Sequence, residues 1–278
     1  MPRSATANID VDTGIPVGIA GPRKRIYYFD DFNLVPGLEI GATTIANTPT
    51  GDQVEHGLEV NKDWKIVGTN SDQDVLALAT DGDGGIDLTT AGALADQAIL
   101  LPTTSATVKS GLNVKTWDTD KRPAAEWCFS TTSTITSMTA WCGFTTAAGA
   151  VRAPYDVTHD DNQVKVEYIA GSNFIIRYST DAVLTNTYVD YAIDTGIAVA
   201  ASTTYVVKIA LDSDRVAWVS IANAADLGAA VEIPTKYALK DAITNLQPNI
   251  GVQNGSASAR TLNVRYVALG RDRLNADD

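Results

Sequence analysis

Residues 205–221, Tyr205–Ile221, read YVVKIALDSDRVAWVSI, and the pattern is that of two β-strands joined by a tight polar turn. Tyr205, Val207, Ile209 and Leu211 project to one side and Val206, Lys208 and Ala210 to the other, the two-residue alternation of a strand with one wet face. Asp212-Ser213-Asp214 interrupts it, because short polar side chains bond to local backbone and favour a reversal. On the return, Val216, Trp218 and Ser220 alternate against Ala217, Val219 and Ile221. An isolated hairpin is marginal in water, so the rest of the chain must supply a sheet.

Short strand-like runs continue on both sides. Upstream lie Ile26–Phe29, Trp64–Gly68, Val75–Ala79, Gly85–Thr90, Gln97–Pro102, Ala125–Ser130, Thr139–Thr145, Gln163–Ile169, Phe174–Ser179 and Val189–Asp194; downstream lie Pro248–Gln253 and Thr261–Gly270. Gly, Asn, Asp, Ser and Thr separate them, as in the DGDGG stretch of residues 81–85. Helical period is confined to possible short turns near Ala222–Ala229 and Tyr237–Ile243. Many strands without interposed helices predict an all-β protein, an antiparallel sandwich or barrel, rather than an α/β sheet. Two face-to-face sheets would bury Ile209 and Trp218 between them. No fixed repeat points to a propeller or solenoid.

The 278 residues, 45% of them hydrophobic, suffice for one large core, and no linker divides the strand region. Residues 26–278 are therefore expected to form one sandwich, and residues 1–25 an extended N-terminal arm. That arm mixes Gly14, Gly18 and Gly21 with Pro2, Pro16 and Pro22, and is expected to lie along its own fold or a neighbouring chain. It ends in Arg23, Lys24 and Arg25, a basic patch that is the candidate partner-binding element.

No apolar run reaches the roughly 18 residues of a membrane-spanning helix, and the N-terminal MPRSATANIDVDTGIP has no apolar signal region. A membrane partner is not expected, and folding in a cytoplasm is. A formal net charge of −12 argues against direct nucleic-acid binding, which needs clustered Lys and Arg. The two cysteines, Cys128 and Cys142, could face one another if AEWCFSTT and TAWCGFTT formed a hairpin. Buried free thiols are the expected state in a reducing compartment. With only His56 and His159 as imidazole ligands, neither a metal nor any other cofactor is expected.

The ordered series YYFDDF, GGIDLTT, QAILLP, EWCF with AWCGFTT, TTYVVKIALDSDRVAWVSI and QPNIGVQNGSASARTLNVRYVALG resembles the concanavalin A-like lectin/glucanase jelly roll. The version it resembles most is that of bacteriophage virion structural proteins, including capsid decoration or cement proteins. The resemblance spans about residues 26–270. It implies an antiparallel two-sheet jelly roll and a non-enzymatic, homo-oligomeric virion protein at the capsid surface. Such a protein would bridge and stabilise neighbouring major capsid subunits. The alternative is a carbohydrate- or receptor-binding module of a tail appendage, taking a surface glycan on aromatics such as Tyr155, Tyr188 or Tyr191.

The wider family includes glycosidases, which need two carboxyl groups about 5 Å apart in the retaining mechanism. The usual E-x-D-x-x-E strand pattern is missing here. Glu55 and Glu59 are wrongly spaced, and Glu126 and Glu167 stand alone, read as solvated or edge charges. Neither histidine sits in a nucleophile motif. For calcium, Asp81 and Asp83, and Asp156, Asp160, Asp161 and Asn162 around His159, are oxygen-rich. Gly92 stands where an EF-hand begun at Asp81 would need Glu, so both loops read as turns. The expectation is a protein without catalytic residues.

Overall fold

A computed structural model of the 278-residue chain describes residues 25–32, 44–46, 54–57, 64–68, 75–78, 85–90, 92–102, 117–145, 163–181, 188–239 and 246–272. Seventeen strands occur among them. In chain order these are β1 (Arg25–Asp30), β2 (Thr44–Ala46), β3 (Val54–Gly57), β4 (Trp64–Gly68), β5 (Val75–Leu78), β6 (Ile86–Thr89), β7 (Gln97–Pro102), β8 (Ala124–Thr131) and β9 (Met138–Thr145). They continue with β10 (Gln163–Ile169), β11 (Asn173–Asp181), β12 (Tyr188–Ala198), β13 (Thr204–Leu211), β14 (Ala217–Asn223), β15 (Val231–Pro234), β16 (Gln247–Asn254) and β17 (Thr261–Asp272).

The strands form two antiparallel sheets. The first runs β15-β14-β13-β8-β17-β6-β5-β2, with β1 also paired to β17, and the second runs β12-β11-β10-β9-β16-β7-β4-β3. The chain passes repeatedly from one sheet to the other, as in a jelly roll. Both inner faces contribute to one core, which includes Trp64, Trp127, Phe144, Val166, Ile176, Val207, Ile209, Val219, Ile250 and Val264. Trp127 meets Phe144 edge-on across the sheets, their ring centroids 5.8 Å apart.

The predicted hairpin is β13 and β14, with Tyr205 opposite Asn223 and Leu211 opposite Ala217. Its turn is built by Asp212, whose Oδ1 accepts the backbone N–H groups of Asp214 and Val216 at 2.9 and 3.0 Å. Ile209 is buried as expected, but Trp218 is 46% exposed. The correction follows from strand phase: Ala217, Val219 and Ile221 face the core, so Trp218 must face outward.

Cys128 and Cys142 do not form a hairpin pair. Cys128 lies on β8 opposite Val206 and Tyr266, whereas Cys142 lies on β9 in the other sheet opposite Val166 and Ile250. Both are buried free thiols. Three short strands escaped the sequence reading, β2, β3 and β15. The helical turns expected near Ala222–Ala229 reduce to a single 3-10 turn at Leu227–Ala229, because β14 continues to Asn223.

Candidate functional site

The outer face of the second sheet carries a buried polar row. Val164, Val166 and Tyr168 of β10 face the core, which turns Gln163, Lys165 and Glu167 to the other side. These three are fully buried, so Glu167 is not the solvated charge the sequence suggested. Its Oε1 accepts a hydrogen bond from Arg177 Nε, and its Oε2 lies 3.6 Å from Lys165 Nζ. Arg177 stands opposite Lys165 on β11. Beside them Trp141 Nε1–H donates to Asn249 Oδ1 at 3.0 Å, and Asn249 Nδ2 donates to Thr145 Oγ1 at 3.0 Å. Two cations thus share one carboxylate, and among the described residues neither end of the buried Gln163 amide has a hydrogen-bond partner.

Glu126 occupies β8 of the first sheet, where Tyr266 O–H donates to its Oε1 at 2.7 Å. Burial and the Glu126 charge raise the Tyr266 phenol far above its ordinary range. Glu126 and Glu167 thus belong to different sheets, on outward-facing positions with the core between them. They cannot flank one glycosidic bond, whose two carboxyl groups must lie within about 10 Å even in inverting enzymes.

The surface feature suited to binding lies where the open edges of the sheets meet. Tyr178 on β11 and Tyr191 on β12 face one another in register, stacked with centroids 5.3 Å apart and planes 20° from parallel. Tyr237, in the segment after β15, packs tilted against Tyr191, their centroids 4.9 Å apart and their planes at 44°, and continues the row of rings. Exposure rises along it: Tyr178 is buried, Tyr191 half-buried and Tyr237 42% exposed. Tyr178 is held by burial, which raises its phenol pKa, and its hydroxyl accepts the backbone N–H groups of Lys236 and Tyr237. That contact fixes the segment bearing the outermost ring. Lys236 Nζ lies 5.1 Å from the Tyr237 ring centroid, and its pKa is raised by its hydrogen bond to Tyr237.

Of the residues singled out from sequence, Tyr191 belongs to this stack. Tyr178, Lys236 and Tyr237 were missed; they come from β11 and from beyond β15, so no local spacing joins them. Tyr188 begins β12, and Arg25 begins β1 opposite Asp272. Glu55 and His56 lie on β3. Arg23, Lys24, Glu59, Asp81, Asp83, Tyr155, Asp156, His159, Asp160, Asp161, Asn162 and the rest of the arm, residues 1–24, lie outside the described residues. Among the described residues no group of three or more His, Cys, Asp or Glu could hold a metal ion, and no helix is long and apolar enough to cross a membrane.

No protein-family profile matches the chain, and no curated protein matches it. Solved structures do. A Shewanella oneidensis protein of unknown function is 13% identical, with TM-score 0.50 and coverage of 93% of this chain and 92% of that one. Peanut lectin is 11% identical, with TM-score 0.52 and coverage of 90% and 99%. The endo-β-1,4-glucuronan lyase of the fungus Trichoderma reesei is 11% identical, with TM-score 0.51 and coverage of 87% and 94%. These likenesses show the fold: an antiparallel two-sheet jelly roll of the concanavalin A-like kind.

Proposed function

We propose that the chain is a non-catalytic glycan-binding module that stacks a sugar ring on Tyr237. The observation that carries this is the tyrosine stack rising from the core to the surface. A ring already immobilised loses little conformational entropy when a ligand packs on it, and Lys236 adds a hydrogen-bond donor beside it. The lectin-like fold supports the reading. It is tested by binding to a panel of immobilised glycans. Tyr237→Ala should abolish retention that Tyr237→Phe keeps; equal retention by wild type and Tyr237→Ala, or retention of no glycan, overturns it.

A second reading, decoration of a virion by contact with the major capsid protein, is favoured by the sequence resemblance and by one observation. Arg25, the last residue of the basic triplet, is paired opposite Asp272 in a strand of the sandwich. The partner-binding patch Arg23, Lys24 and Arg25 and the arm before it would then leave from a fixed anchor. Deleting residues 1–22 should leave a folded protein that no longer attaches to particles; unchanged occupancy defeats this reading.

A further inference from the structure

The outer face of the first sheet presents an aromatic ring with solvent-accessible polar groups beside it. Trp218 is 46% exposed, yet its Nε1–H donates to Asp212 Oδ2 at 3.0 Å. The same carboxylate accepts two backbone N–H groups of the hairpin turn. The indole is therefore held in place by a turn that is itself hydrogen-bonded, and it faces solvent. Its in-register neighbours are Ala210 on β13 and Pro234 on β15, neither of which carries a polar side-chain group.

One row along the same strands, on the same face, stand Lys208, Ser220 and Glu232. Lys208 pairs with Ser220, and Ser220 with Glu232. Residues two apart on a strand are about 6.6–6.8 Å apart, and neighbouring strands about 4.7–4.9 Å, so this row lies within one sugar ring's reach of the indole. Among the described residues none of the three side chains has a hydrogen-bond or ion-pair partner. Lys208 also faces Glu126 across β8, but that carboxylate accepts the Tyr266 hydroxyl.

The geometry points to a second binding surface here, for a neutral hexopyranose: its C–H face stacks on Trp218 and its hydroxyl edge bonds to Lys208, Ser220 and Glu232. The row offers a donor, a hydroxyl that both donates and accepts, and an acceptor. Vicinal sugar hydroxyls can satisfy all three. An anionic ligand would meet the carboxylates of Glu232 and Glu126 and a cationic one the Lys208 ammonium, whereas a neutral polyol meets neither penalty. Nucleic acid is disfavoured further by the net charge of −12. This surface is independent of Tyr237, which lies at the sandwich edge.

The chain contains five tryptophans. Trp64, Trp117, Trp127 and Trp141 are buried, which leaves Trp218 as the exposed indole. Acrylamide quenching of tryptophan fluorescence therefore reads this site directly. With millimolar lactose and cellobiose as probes, at least one should protect the quenchable indole in the wild type and in Tyr237→Ala. Protection should vanish in Trp218→Ala, and Lys208→Met or Glu232→Gln should weaken the protecting sugar about tenfold, a loss of about 1.4 kcal/mol. Protection by neither sugar overturns the proposal. So does protection that is lost in Tyr237→Ala or unchanged in both polar variants. A Trp218→Ala protein that falls from an oligomer to a monomer, with no sugar effect in the wild type, would also overturn it by identifying the face as a contact between copies.

Discussion

Gly143 on β9 lies opposite Lys165 on β10, and a Cβ placed on Gly143 would stand 2.5 Å from both Cα and Cβ of Lys165. The missing side chain lets β10 approach closely while the buried lysine reaches Glu167. Overpacking of this kind typically costs about 1–3 kcal/mol. Gly143→Ala should lower stability by that amount, read from the urea midpoint; an unchanged midpoint would show that β10 can shift freely. Gly251 has the same role under Trp141, where a Cβ would fall 2.4 Å from the indole.

The ion cluster above that glycine gives a second expectation. Glu167→Gln leaves Lys165 and Arg177 facing an uncharged amide, and breaking a buried pair costs about 3–5 kcal/mol. Because the Arg177 side chain retains 21% exposure, the lower end applies. Adding Arg177→Met to Glu167→Gln should recover part of the loss, a coupling that a double-mutant cycle measures. Strictly additive losses would mean that the two side chains do not depend on each other.

Trp218 and Trp127 should respond in opposite ways to truncation. Trp127 is fully buried, so Trp127→Ala should cost about 3–5 kcal/mol. Trp218→Ala should stay within about 0.5 kcal/mol, as surface substitutions do. Thermal melts of both variants decide this, and a large loss in Trp218→Ala would contradict its outward placement.

The hairpin was legible in sequence because its turn chemistry and two-residue alternation are local. The phase of β14 was not, since both of its faces carry apolar residues. The bulk of Trp218 suggested the core, but Ala217, Val219 and Ile221 occupy it. Glu167 was misread for a related reason: Gln163, Lys165 and Glu167 alternate with Val164, Val166 and Tyr168, which is also the pattern of a solvated face. Only tertiary burial distinguishes the two. The tyrosine stack draws on β11, β12 and the segment after β15, and that juxtaposition exists only once the sheets have packed.

The cysteines supply the last prediction. Cys128 and Cys142 lie in different sheets and are both buried, so native protein should show two free thiols by intact mass, unreactive to iodoacetamide until denaturant is added. Burial pushes the Cys128 thiol from its ordinary 9.0 up to about 12 and holds Cys142 well above 9.0. Near Cys128 the Arg265 charge lowers the value, but less than burial raises it. Above pH 9 the unfolded chain releases these protons while the folded chain keeps them. Unfolding then releases protons, so the thiol contribution is complete below about pH 9 and is lost as pH rises toward about 12. The phenols of Tyr178 and Tyr266, raised mainly by desolvation, act in the same direction. The test must therefore compare wild type with Cys128→Ala: the urea midpoint should fall between about pH 8 and pH 11 in both, and less steeply in the variant. Equal slopes would show that Cys128 ionises in the folded protein as readily as in the unfolded chain.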